Sequence, residues 1–155
     1  GFGRGIGAWA IAIASVPAML SKPLWGILID KHPAKPLAAL SASATGFSLA
    51  LIVFAARSED LVLVYIGYVF LGLGWGGMLP MQEVIWASFF GRRYIGSIRG
   101  AAMPFSLALG APIPWLVSYY RDFTGGYHEA FFAVAALNIL SGLMIFFVPK
   151  PRRSI

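Results

Sequence analysis

Five apolar stretches fill this chain, each long enough to cross a lipid bilayer: Gly5–Ile29, Pro36–Ala56, Leu61–Phe90, Gly100–Tyr120 and Ala130–Val148. About 20 apolar residues in a helix rise about 30 Å, the thickness of the hydrocarbon layer. Backbone groups find no water there, so each stretch must satisfy its own N–H and C=O groups as a helix. The fold class expected is an all-α, polytopic transmembrane helix bundle of five spans. With 59% hydrophobic and 12% charged residues, the chain has too few charges to solvate a soluble globule of 155 residues. The net charge of +6 does not point to nucleic acid, because the basic residues sit between the apolar stretches and not along one face. The absence of cysteine removes disulfides, thiolate metal sites and cysteine catalysis. The chain opens Gly1-Phe2-Gly3-Arg4, without the basic region before an apolar one that marks a signal peptide, and a chain that begins mid-helix and holds an odd number of spans is expected to be a fragment.

The connecting segments set an orientation. Lys31, Lys35, Arg92, Arg93, Arg99, Lys150, Arg152 and Arg153 fall on one side, eight cations in all. The other side has three, Arg4, Arg57 and Arg121, and the last two share their segments with Glu59, Asp60, Asp122 and Glu129. Short loops rich in Lys and Arg stay in the cytoplasm. The first helix is therefore expected to run from outside to inside, with the C-terminus cytoplasmic. Asp30 with Pro33 and Pro36 should end the first span, Ser58-Glu59-Asp60 should cap the third, Gly125-Gly126 should precede the fifth, and Pro149 and Pro151 should stop it.

Few residues carry the marks of catalysis. Gly72-Leu-Gly-Trp-Gly76-Gly77 and Gly3-Arg-Gly5-Ile-Gly7 resemble phosphate-binding loops in composition, yet both lie in or beside apolar spans, with no preceding strand. Gly72 and Gly76 instead form a small-xxx-small pair, which lets two membrane helices approach closely. His32 and His128 fall in opposite loops and cannot share a metal. No enzyme activity, cofactor or metal is expected.

Pro17, Pro80, Pro104, Pro112 and Pro114 lie inside spans, where each removes a backbone donor and can bend a helix. The sharpest positions are Lys22 and Glu83, one ionisable residue in each of two spans of equal direction. Lys22 precedes Asp30 by eight residues and Glu83 precedes Arg92 by nine, which places both about 12–14 Å from the same membrane edge. Lys22 shares a stripe with Ser15, Met19 and Gly26, and Glu83 with Gly72, Gly76, Pro80 and Ala87. Two readings stand: a lysine snorkelling to the interface with the glutamate following it, or a compensated pair facing the bundle interior. The second is preferred here.

Gly26-Ile-Leu28-Ile-Asp30-Lys31-His-Pro-Ala-Lys35 resembles the signature of the major facilitator superfamily, in which glycine, leucine, aspartate and basic residues follow an inward-running helix. Pro33 stands where a glycine is usual and Ala34 where a basic residue is common. Phe89-Phe90-Gly91-Arg92-Arg93-Tyr-Ile-Gly96-Ser97-Ile-Arg99-Gly100 is similar to the loop between the tenth and eleventh helices of bacterial members. Gly110-Ala-Pro112 followed by Tyr120-Arg-Asp122-Phe-Thr124-Gly125-Gly-Tyr127 resembles the end of the eleventh helix in the branch of monocarboxylate transporters and oxalate:formate antiporters. The resemblance spans the whole chain and implies helices eight to twelve of a twelve-helix fold, the C-terminal part of a transporter in a bacterial inner (plasma) membrane.

That resemblance also implies a mechanism and a set of residues. Two six-helix halves would rock about a central site. The first, third and fourth spans here would line the pathway, and the second and fifth would lie outside. Lys22-Pro23-Leu-Trp-Gly26 matches the branch's substrate-binding arginine, proline and glycine pattern, with lysine in place of arginine. Lys22 is thus the expected anchor of a small organic anion, by preference a carboxylate, and Glu83 the expected proton-coupling group. Gly26, Asp30, Lys31, Lys35, Arg92, Arg93 and Arg99 form the expected cytoplasmic gate, with Asp30 held by Arg92, Arg93 or Arg99. The partners expected are the anion, a proton, the lipid bilayer and a missing N-terminal half, with no nucleic acid. The alternatives are a major facilitator carrier for another metabolite or drug, and a non-transporting membrane scaffold or receptor-like domain.

Overall fold

A computed structural model describes residues 4–148, the side chains of Arg4 and Phe89 apart. Its helices are α1 Arg4–Lys31, α2 Ala34–Arg57, α3 Leu61–Phe90, α4 Ile95–Gly110, α5 Ile113–Thr124 and α6 His128–Phe147, with a 3₁₀ turn at Arg92–Tyr94 leading into α4. Five helical segments are long and apolar enough to cross a membrane, the fourth of them running from Arg92 to Thr124 through both α4 and α5. The chain is a polytopic transmembrane helix bundle, as its apolar runs require.

The helix ends follow local chemistry. Asp60 caps α3, its carboxylate accepting a bond from the Leu63 N–H at 3.0 Å. Gly125 ends α5 in the left-handed region at φ +73, where a side chain would strain the backbone. Gly91 breaks α3 at φ +80. Three boundaries differ from the sequence expectation. Asp30 lies inside α1, which continues to Lys31, because no proline ring falls within its last turn and Pro33 is the first to block it. Pro36 stands in the first turn of α2, where its missing N–H has no intrahelical acceptor to lose. The helix after Gly91 begins at Ile95, not Gly100, and is interrupted at Ala111-Pro112. The expected stop at Pro149 and Pro151 and the tail cations Lys150, Arg152 and Arg153 lie outside the described residues.

Packing is carried by α2. It lies between α3 and α6, and α3 in turn packs against α1. Small residues set these distances. A Cβ added to Gly76 would stand 2.6 Å from the Ala18 carbonyl oxygen, and one on Gly72 would collide with the carbonyl oxygen of Ala14, so α1 and α3 touch backbone to backbone. On the side facing α2, a Cβ on Gly74 would meet the Thr45 Oγ1 at 2.8 Å and one on Gly77 the Ser41 Oγ at 2.9 Å. The glycine run Gly72–Gly77 is thus a wedge that seats one helix on each flank, the packing role its spacing predicts. Between α2 and α6 the same device recurs. A Cβ on Gly46 would lie 2.7 Å from the Ala135 carbonyl oxygen, and one on Gly142 would lie 2.8 Å from that of Ala39.

Two hydrogen bonds lock the wedge. The Trp25 indole N–H donates to the Leu73 carbonyl at 2.8 Å, and the buried Ser41 hydroxyl donates to the Gly74 carbonyl at 2.7 Å. Trp25, Leu37, Ala38 and Met81 form the core beneath them, with Ile29, Ile85 and Ile145 packed against it. The α4–α5 segment stands apart from this bundle. No described residue of α4 or α5 is buried.

Candidate functional site

Helix α1 carries the first candidate. Its packed face is Ala10, Ala14, Ser21 and Trp25, all buried. The stripe of Ser15, Met19, Lys22 and Gly26 lies on a different face: Ser15, Met19 and Lys22 are exposed, and a Cβ on Gly26 would meet nothing within 4 Å. The Lys22 ammonium has no carboxylate partner among the described residues. It is an uncompensated cation within an apolar helix, next to Pro23.

Glu83 does not meet Lys22. Its carboxylate instead pairs with the Arg99 guanidinium on α4 at 2.8 Å, both side chains partly exposed. The packed register explains why. Ser21 lies opposite Gly76 across the α1–α3 seam, so Lys22 is one residue past that level and Glu83 seven. Six residues of helix are about 9 Å, which separates the two charges in depth. Counting each from its own helix end misses this, because α3 reaches further than α1. The compensated Lys22–Glu83 pair is therefore corrected to a Glu83–Arg99 pair. A signal for it was present: Gly91 leaves a tight reversal, and residues at similar separations from a reversal meet.

The expected gate cluster is brought only partly together. Asp30 and Lys31 are exposed at the end of α1, Lys35 is half-buried on the first turn of α2, and Arg92 and Arg93 are exposed on the 3₁₀ turn. Because α1 and α3 pack in parallel and α2 antiparallel to both, these residues share one end of the bundle. Asp30 has no ion pair among the described residues, and Arg99, one of its expected partners, is held by Glu83. Arg93 lies over the Tyr94 ring, 5.7 Å from its centroid, within the reach of about 6 Å for such contacts. At the opposite end Arg57 pairs with Glu129 at 3.2 Å and lies over Phe132 at 5.4 Å, tying α2 to α6. Among the described residues no cluster of His, Cys, Asp and Glu could hold a metal ion.

Sequence reasoning missed one concave feature. A cleft of about 300 Å³ opens over α2 between α3 and α6, lined by Ala38, Met78, Gln82, Trp86, Ser141 and Ile145 among others. Its lining is split among three helices, and only their assembly reveals it.

Apolar helices seated on glycine seams, with prolines inside three of them and few charges in their spans, fit an integral membrane protein of the transporter type. A family model described as Major Facilitator Superfamily matches residues 1–155. The chain belongs to the major facilitator superfamily, whose members are transmembrane transporters of small molecules. No curated protein and no solved structure gives a significant match.

Proposed function

We propose that this chain is the C-terminal part of a secondary transporter of a small organic anion, by preference a carboxylate, working by alternating access against a second half. Lys22 is the anchor. The observation that carries this reading is its ammonium, exposed on the unpacked face of α1 with no carboxylate partner among the described residues. A cation in an apolar span costs several kcal/mol unless it is paired, wetted or snorkelled, and an arriving anion would supply the pair. The Lys22-Pro23-Leu-Trp-Gly26 resemblance to the monocarboxylate branch favours a carboxylate; an ammonium holds it as a point charge, without arginine's fork.

Glu83 takes the coupling role through Arg99. With the carboxylate ionised, the guanidinium is occupied; a proton on Glu83 would free Arg99 as a second cation for the substrate. Proton and anion would then favour each other's binding, the requirement for symport. Asp30, Lys31, Lys35, Arg92 and Arg93, with Gly26 above them, form the gate on the cytoplasmic side, where Asp30 finds its basic partner when the inside closes.

The test is uptake by the complete transporter in proteoliposomes. Lys22→Gln is expected to abolish anion uptake and Lys22→Arg to keep part of it; wild-type uptake by Lys22→Gln discards the anchor. Glu83→Gln is expected to exchange substrate while losing dependence on the proton gradient. Unaltered gradient dependence discards the coupling and leaves the anchor standing.

A further inference from the structure

The cleft over α2 lies at the level of the apolar spans and is walled by Met78, Trp86 and Ile145, with the small residues Ala38 and Ala42 as its floor. It runs toward the basic end. On α2, Lys35 stands three residues before Ala38 and seven before Ala42, so helical spacing puts all three on one face. Lys35 is half-buried and has no carboxylate partner among the described residues. On α3, the cleft ends at Trp86, and Arg92 and Arg93 follow six and seven residues later, both exposed and without a carboxylate partner among the described residues. The exposed Asp30 is the nearest acid in sequence to this group that is not already paired. The opposite end differs: there Arg57 is paired with Glu129. A mostly apolar trough walled by membrane-spanning helices, with unpaired cations beyond its end on α2 and on the turn after α3, suits a molecule with a long apolar tail and an anionic head.

We propose that the α2/α3/α6 cleft and Lys35 form a site for an anionic phospholipid, one acyl chain in the cleft and the headgroup phosphate on the Lys35 ammonium. Arg92 and Arg93 flank the mouth and add to the local positive potential. A cation near the headgroups attracts anionic lipid, and the lysine's methylene stem can lie along the trough while its ammonium reaches the phosphate. The site shares Lys35, Arg92 and Arg93 with the proposed gate but uses neither Lys22 nor Glu83, so lipid retention is read separately from anion uptake.

Native mass spectrometry of the protein released from nanodiscs of equal phosphatidylglycerol and phosphatidylcholine tests it. Retention of phosphatidylglycerol over phosphatidylcholine is expected in the wild type. Lys35→Gln should lower that preference about fivefold, and Lys35→Arg should keep it. Ser141→Phe, at an exposed wall position with no side-chain hydrogen bond to lose, should reduce retention of both lipids by filling the trough. Excess inorganic phosphate should displace neither; displacement by phosphate alone would show a simple anion site and overturn the acyl-chain half. Equal retention by wild type, Lys35→Gln and Ser141→Phe overturns the whole, as does a lipid-free mass of two chains, which would mean a second copy covers the cleft. Should a variant fail to fold by circular dichroism, a brominated-acyl phosphatidylglycerol decides on the wild type. It should quench the wild-type tryptophan fluorescence more than brominated-acyl phosphatidylcholine does at the same mole fraction; equal quenching by the two lipids overturns the site.

Discussion

The four helices α1, α2, α3 and α6 and the α4–α5 segment are made of the same kinds of residue, yet only the first group is packed. Both contain closely spaced glycines: Gly72 and Gly76 on α3, Gly96 and Gly100 on α4. A Cβ on either of the first pair would strike α1, whereas one on either of the second would meet nothing within 4 Å. The same spacing is a seam in one place and open surface in the other. What decides is the partner. Opposite Gly72 and Gly76, helix α1 offers Ala14, Ala18 and Ser21, which are small enough to receive a bare backbone. A Cβ at Gly96 or Gly100 meets no described atom within 4 Å, and among the described residues the Glu83–Arg99 ion pair ties α4 to α3.

The comparison can be broken most directly by filling both glycine positions. Gly72→Leu should cost about 3 kcal/mol or more, because the new side chain has nowhere to go without separating α1 from α3. Gly100→Leu should leave stability unchanged or slightly higher, since leucine is the better helix former and the space is open. Chemical denaturation in detergent, followed by far-ultraviolet circular dichroism, measures both; equal losses would mean that α4 is packed after all. A smaller effect is expected from Trp25→Phe, which keeps the ring in the core and removes the bond to the Leu73 carbonyl, at about 1 kcal/mol. The smallest is Arg99→Gln. A partly exposed ion pair contributes about 0–1 kcal/mol, so global stability should hardly move. Hydrogen exchange should nevertheless quicken in α4 and stay unchanged in α1 and α3, the signature of a local opening. Exchange that quickens everywhere would make the segment part of the core unit.

Much of the bundle was legible because membrane helices must be long, apolar and internally bonded. The five spans, the Asp60 cap, the Gly125 stop and the packing use of Gly72 and Gly76 all follow from rules that act within a few residues. The candidate site was read less well. Lys22 stands out in the sequence as the one ionisable residue of its span, but the face it occupies is legible only once Ser21 and Trp25 are seen packed. Its pairing with Glu83 failed because depth was counted along each helix separately, and the true offset is set by where Ser21 meets Gly76. The sequence puts Arg99 in a loop and so in the gate, yet α4 begins at Ile95 and carries it back beside Glu83. The cleft escaped altogether, since α2, α3 and α6 each supply only part of its lining and none of those parts is unusual alone.

The α2–α6 seam has a consequence for how the chain is made. Helices α2 and α3 are neighbours joined by the short Ser58–Asp60 turn, and they can pair as soon as both have entered the bilayer. The other flank of α2 presents Ala39, Ser43 and Gly46, whose partners Ala135, Ile139 and Gly142 belong to the last described helix. During synthesis that flank must wait in lipid while α4 and α5 are threaded through. A nascent chain that ends at Gly125 would hold a central helix with one side finished and the other bare. That seam is the last of the described ones to close, and it can do so only once α6 has entered the bilayer.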